Sequence, residues 1–138
     1  MLAWDAVRDA LAGANLYWIG TVRPDGGPHL HSIWGGWVGH SLYFEGGETT
    51  RWARNLAEDP RVSFGVDSNG LHISGRGSVE RGPAGDDFVA LVANYGSKYD
   101  YKPQSDDFYI VRPLVVIALN MSSMAEFENS PTRFRFEP

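Results

Sequence analysis

From Leu71 to Glu80 the chain alternates without a break: Leu71, Ile73, Gly75, Gly77 and Val79 interleave with His72, Ser74, Arg76, Ser78 and Glu80. A period of two marks a strand with one buried and one polar face, because successive side chains point to opposite sides of the backbone. Ser68-Asn69-Gly70 just before it is a tight-turn sequence, since asparagine and glycine tolerate positive φ. The preceding run Arg61–Asp67 is therefore expected to fold back on Leu71–Arg81 as a hairpin. A long amphipathic hairpin commits this region to an antiparallel sheet with an inside and an outside.

Extending that reading gives a chain made mostly of strands. Trp4, Val7, Leu11 and Ala14 fall at helical spacing and predict a helix over Trp4–Ala12, with Gly13 as its C-cap. Asn15–Arg23 reads as a strand, and Pro24-Asp25-Gly26-Gly27 turns it into a second one, His29–Val38. Gly35-Gly36 inside that strand calls for either a bulge or a bound ring lying close to the backbone. Trp34 and Trp37, three apart in an extended segment, are expected on opposite sides. Ser41–Glu45 is a third strand, followed by a helix over Thr50–Glu58 that Pro60 ends.

Beyond the long hairpin, Asp86 or Asp87 is expected to cap a helix carrying Phe88, Leu91, Val92 and Tyr95. Tyr99–Asp107 reads as a polar loop, a mobile flap, and strands near Phe108–Arg112, Val115–Met121 and Thr132–Phe136 follow. A chain of 138 residues forms one domain, 1–138. Many antiparallel strands with few helices point to a mainly β fold, a closed or split barrel. Leu16–Val22 and Val115–Leu119 are apolar on both faces, and a small barrel has one inside; a homodimer is the expected partner.

Composition removes several function classes. No cysteine is present, which excludes disulfides, thiolate nucleophiles and metal–thiolate sites and fits a cytoplasmic location. The formal charge of -5 lacks the positive field that nucleic-acid binding needs. No apolar run approaches the ~20 residues that span a bilayer, and the start Met1-Leu2-Ala3-Trp4-Asp5 is not a signal peptide, so no membrane partner is expected. His29, His31, His40 and His72 lack a neighbouring carboxylate set for a metal. Nucleophile-elbow, G-x-G-x-x-G and P-loop patterns are all missing, and no catalytic set stands out.

What remains is one local concentration of chemistry. Thr49 or Thr50 can cap the helix that follows, leaving backbone N–H groups and the positive end of the helix dipole facing whatever precedes it. Arg51 and Arg54, three apart, can reach one anion together, or else stay solvated with Arg54 facing Glu58. An aromatic strand beside an anion-binding helix start suits a flat ring with a phosphate tail.

The order of short motifs resembles the pyridoxamine-5'-phosphate-oxidase-like FMN-binding split β-barrel family, within it the flavin- and deazaflavin-dependent oxidoreductases. The resemblance is carried by Thr21–Pro28, the aromatic strand, Leu42-Tyr43-Phe44, Arg51-x-Ala53-Arg54-Asn55-Leu56 and Asp59-Pro60-Arg61-Val62-Ser63. It resumes at Gly75–Glu80, Phe108–Pro113 and Thr132–Phe136. It implies an antiparallel, Greek-key-like split barrel, dimeric, with the cofactor at the subunit interface.

The resemblance also implies a site. The ring of FMN, or of the deazaflavin coenzyme F-420, would lie on His31, Ser32, Ile33 and Trp34. The phosphate would meet Thr49, Thr50, Arg51, Arg54 and Asn55. Where the family commonly has a lysine this chain has Trp52, whose ring N–H can donate one bond. The departure falls harder on the more anionic F-420 than on FMN. His72, Arg76, Tyr99 and Tyr101 are weaker candidates for a substrate or second-subunit pocket. The implied activity is hydride transfer with a small conjugated substrate, the cofactor carrying the redox chemistry. A non-catalytic flavin- or haem-like-ligand-binding storage or stress protein is the alternative. True pyridoxamine-phosphate oxidase activity is disfavoured, because basic residues for a second phosphate are not evident.

Overall fold

The computed structural model describes residues 1–137. The elements in order are α1 (Trp4–Gly13), β1 (Tyr17–Val22), β2 (Pro28–Ile33), β3 (Gly36–Val38), β4 (Ser41–Phe44), α2 (Arg51–Glu58), β5 (Arg61–Ser68) and β6 (Leu71–Gly82). A 3-10 turn, Gly85–Asp87, leads into α3 (Phe88–Tyr99), then β7 (Phe108–Asn120), α4 (Met124–Glu128) and β8 (Thr132–Arg135). The strands form one antiparallel sheet ordered β2-β1-β5-β6-β7-β4-β3, with β8 added on β7, curled into a split β-barrel. Asn69 and Gly70 both take positive φ, 53° and 76°, as the hairpin turn between β5 and β6 requires.

Inner faces of the strands and both N-terminal helices share one core. Val7, Ala10 and Leu11 of α1 pack against Ile19, Trp37, Leu42, Phe44, Phe64 and Val116. β4 is buried on both sides: Leu42 and Phe44 enter this core, while Tyr43 faces a second cluster with Leu91 and Tyr95 of α3 and Phe108 and Ile110 of β7.

Three sequence expectations change. The strand expected over His29–Val38 is two strands, broken at Trp34-Gly35. A Cβ on Gly35 would lie 3.0 Å from the Tyr43 carbonyl oxygen, and one on Gly36 would overlap Leu91 of α3. Close approach of the chain to itself explains both glycines. The two strands expected around Pro113 are one, because the register slips between Arg76 and Gly77 and leaves Leu114 unpaired at a bulge. A proline lacking its N–H is tolerated at such a point. Finally, α3 runs on through Tyr99; Asp87 is its N-cap residue, but its carboxylate accepts the Tyr43 hydroxyl at 2.7 Å and makes no bond to the helix N–H groups. Tyr99 is thereby fixed on the helix and does not belong to a flap.

Candidate functional site

Thr50 is the N-cap of α2, its Oγ1 accepting the Ala53 N–H at 3.2 Å while its own hydroxyl donates to the Gly47 carbonyl at 2.9 Å. Thr49 stands exposed just before it. Among the described residues, Arg51 and Arg54 have no carboxylate partner, and the Arg54–Glu58 pair that the spacing allows is not formed. Arg51 leans on Asn55 Oδ1 at 3.5 Å. Asn55, 0% exposed, donates from Nδ2 to Thr21 Oγ1 at 3.0 Å and so ties α2 to β1. Asn55 thus braces Arg51 and the helix from the buried side.

Trp52 turns inward, 7% exposed, into a stack of rings. It lies parallel to His31 of β2, 5.2 Å between centroids, and edge-on to Phe44 and Tyr109 at 5.3 and 5.0 Å. His31 in turn stacks on His29 at 5.8 Å. Neither ring nitrogen of His31 has a protein partner, and both are shielded. Burial, reinforced by His29, lowers its pKa to about 4, so the imidazole is neutral at pH 7. β2 is an edge strand, leaving one row of its backbone N–H and C=O groups free to meet a ligand.

Trp34 belongs to a neighbouring cluster. Its ring lies parallel to Tyr99 with centroids 4.4 Å apart, and Tyr101 meets it edge-on at 6.1 Å. The Tyr99 hydroxyl accepts the Gly35 N–H at 3.2 Å and donates to the Asn15 carbonyl at 2.8 Å. Beneath it Lys98 donates to the carbonyls of Ala14 and Gly35 and to the Tyr17 hydroxyl at 2.9, 2.7 and 3.0 Å. Burial lowers its pKa to about 8. One ring-site candidate, Trp34, thus meets two of the weaker substrate candidates. Trp37, by contrast, enters the core at 2% exposure, as the opposite-sides expectation requires.

A third region lies on the outer face of the sheet. A groove of about 470 Å³ runs over Gly20 and Gly65, walled by Trp18 and Leu30 on one side and by Arg76, Val115 and Ile117 on the other. Trp18 and Leu30 are 47% and 65% exposed, unusual for side chains of that size in strands. Ser32, paired with Trp18, shares this side of the sheet, whereas Ile33, paired with the buried Tyr17, does not. His72 lies further along β6 with its Nδ1 3.3 Å from Asp67.

Sequence reasoning missed two residues. Lys98 follows Leu91 and Tyr95 at helical spacing, a signal that it faces inward. Arg81 continues the strand parity of Val79 and gathers Glu48, Tyr109 and Asp107 at 3.0, 3.0 and 3.1 Å.

The pyridoxamine 5'-phosphate oxidase family matches residues 3–123, nearly the whole domain. The chain belongs to that family. Among solved structures, an F420 reductase is 27% identical, with 79% of this chain and 94% of that one aligned at a TM-score of 0.63. A pyridoxamine 5'-phosphate oxidase-related, FMN-binding protein from Nostoc punctiforme is 14% identical and covers 100% of this chain and 98% of its own, TM-score 0.62. A haem-binding protein from Mycobacterium smegmatis is 20% identical over 93% of this chain and 55% of its own, TM-score 0.70. At those two identities the likeness speaks for the fold alone. No curated protein matches the chain. Among the described residues no helix is long and apolar enough to cross a membrane, and no cluster of metal-ligating side chains occurs.

Proposed function

We propose that this protein is a flavin- or deazaflavin-dependent oxidoreductase, acting as a homodimer on a small conjugated substrate in the cytoplasm. The observation that carries the reading is the start of α2. A capped helix presents its first N–H groups beside two guanidiniums that have no carboxylate partner among the described residues, and a stack of flat rings continues from there to an edge strand. The chemistry of this set fits a phosphate joined to a planar ring: guanidinium and helix dipole for the anion, aromatic faces and free strand groups for the ring. The bound cofactor would supply hydride transfer. The chain would supply orientation and exclusion of water, with neutral His31 stacked on His29 and Trp52 as part of the aromatic wall.

Between the two cofactors FMN is favoured. Trp52 replaces a cation with an inward-facing indole, which leaves Arg51 and Arg54 as the charges at the helix start and suits the shorter, less anionic tail. The outer groove supports the homodimer, since Trp18, Leu30 and Ile117 form one apolar face on a sheet whose other face is already filled. Absorbance and fluorescence titration of the purified protein with FMN and with F-420 tests the cofactor. Bleaching by a reductant and reoxidation by a nitro or quinone substrate tests turnover; binding without either change returns the protein to the ligand-binding alternative.

A further inference from the structure

The turn Gly46-Gly47-Glu48-Thr49 leads directly into the cap of α2: Gly46 lies against the Trp52 ring, and the Gly47 carbonyl accepts the Thr50 N–H and hydroxyl at 3.2 and 2.9 Å. Among the described residues, one side chain from the sheet reaches it. Arg81 of β6 donates from Nη1 to Glu48 Oε1 at 3.0 Å and to the Tyr109 hydroxyl at 3.0 Å, and from Nη2 to Asp107 Oδ2 at 3.1 Å. Its guanidinium carbon also lies 4.5 Å from the centre of the Tyr109 ring, which packs on Trp52. The same cation therefore grips the turn before the helix and supports the ring under the helix.

Glu48 gives this tie its consequence. It precedes Arg51 by three residues, in the turn just outside the helix start. Freed from Arg81, its carboxylate is the nearest anion in sequence to Arg51 and competes for the place of a ligand's phosphate at the helix start. Held by Arg81, it is paired with a cation of the sheet and forms no ion pair with Arg51 or Arg54.

We infer that Arg81 is a positioning residue that keeps the phosphate site at the start of α2 open by holding Glu48 away from Arg51 and Arg54. This rests on the phosphate reading above, and the experiment separates the two. FMN and riboflavin affinities are measured for the wild type, Arg81→Gln, Glu48→Gln and the double variant. Arg81→Gln weakens FMN about tenfold, the size of one charge-assisted contact, and changes riboflavin less than about twofold. Glu48→Gln alone stays within about threefold of the wild type, and adding it to Arg81→Gln restores FMN to the same range. Unchanged FMN affinity in Arg81→Gln overturns the inference; so do equal losses for both flavins, or a double variant as weak as the single one. A wild type that binds neither flavin refutes the phosphate reading. The tie is then decided by amide hydrogen exchange at Gly47–Thr50, about tenfold faster in Arg81→Gln if Arg81 holds the turn and unchanged if it does not.

Discussion

The indole of Trp52 lies nearly parallel to the imidazole of His31, with 10° between the planes. Helix α2 and edge strand β2 are thereby joined at the point where the candidate ring and phosphate subsites meet. Burial of the imidazole, reinforced by His29, holds His31 neutral, which gives the protein a specific acid sensitivity.

With a folded pKa of about 4 against an ordinary value of 6.5, His31 binds its proton less readily in the folded chain than in the unfolded one. Its contribution is complete above pH 6.5, is lost as pH falls from there, and changes no further below about pH 4. Allowing for the ring's partial exposure, the loss amounts to about 1–2 kcal/mol. Urea unfolding at pH 7.5 and 4.5 measures it, and His31→Gln should flatten that part of the pH dependence. An equal slope in the variant would refute the assignment.

Lys98 bonds three oxygens from three separate segments, and its removal leaves the Ala14 carbonyl and the Tyr17 hydroxyl short of a donor in a buried place. Lys98→Ala is expected to cost about 1–3 kcal/mol, whereas exposed Lys102→Ala stays within about 0.5 kcal/mol. Thermal or urea unfolding of both variants checks the contrast. Since Lys98 also supports the Gly35 turn beside Trp34, quenching of Trp34 fluorescence by acrylamide should rise in Lys98→Ala.

Arg51→Ala and Arg54→Ala should each weaken FMN binding about 10–100-fold, equal to about 1.5–3 kcal/mol, without altering the fold. Arg51 carries the clearer expectation because Asn55 orients it, while Arg54 is free in solvent. Riboflavin, with the ring and no phosphate, should lose much less. Equal losses for the two ligands would return both arginines to an ordinary solvated surface.

Trp18→Glu places a charge in the outer groove, where Gly20 and Gly65 leave a flat floor. Sedimentation should show a dimer for the wild type and a 15.3 kDa monomer for the variant at micromolar concentration. A wild type that sediments as a monomer refutes the proposed interface.

Much of the architecture was legible in the order of residues. Alternation along Leu71–Glu80, the Asn69-Gly70 turn and the capped helix before Pro60 are local signals, fixed by side-chain parity and allowed dihedrals, and each is where the sequence put it. The grouping of the Thr50 cap with Arg51 and Arg54, on which the proposed phosphate site rests, is equally local, because cap and arginines lie within about one turn.

Tertiary structure decided the rest, and for one physical reason: contact between segments distant in sequence has no local signature. Gly35 and Gly36 suggested a bulge or a ligand because the residues that need their space come from other elements: Tyr17 and Tyr43 of β1 and β4 at Gly35, and Leu91 and Tyr95 of α3 at Gly36. Trp52 stood in a ligand's place in the motif, yet burying an indole against His31, Phe44 and Tyr109 gains more than exposing it, and those rings come from β2, β4 and β7. Arg81 reads as one more polar strand residue until β6 brings it beside Glu48 and Asp107, after which it is the bolt of the turn that opens the site.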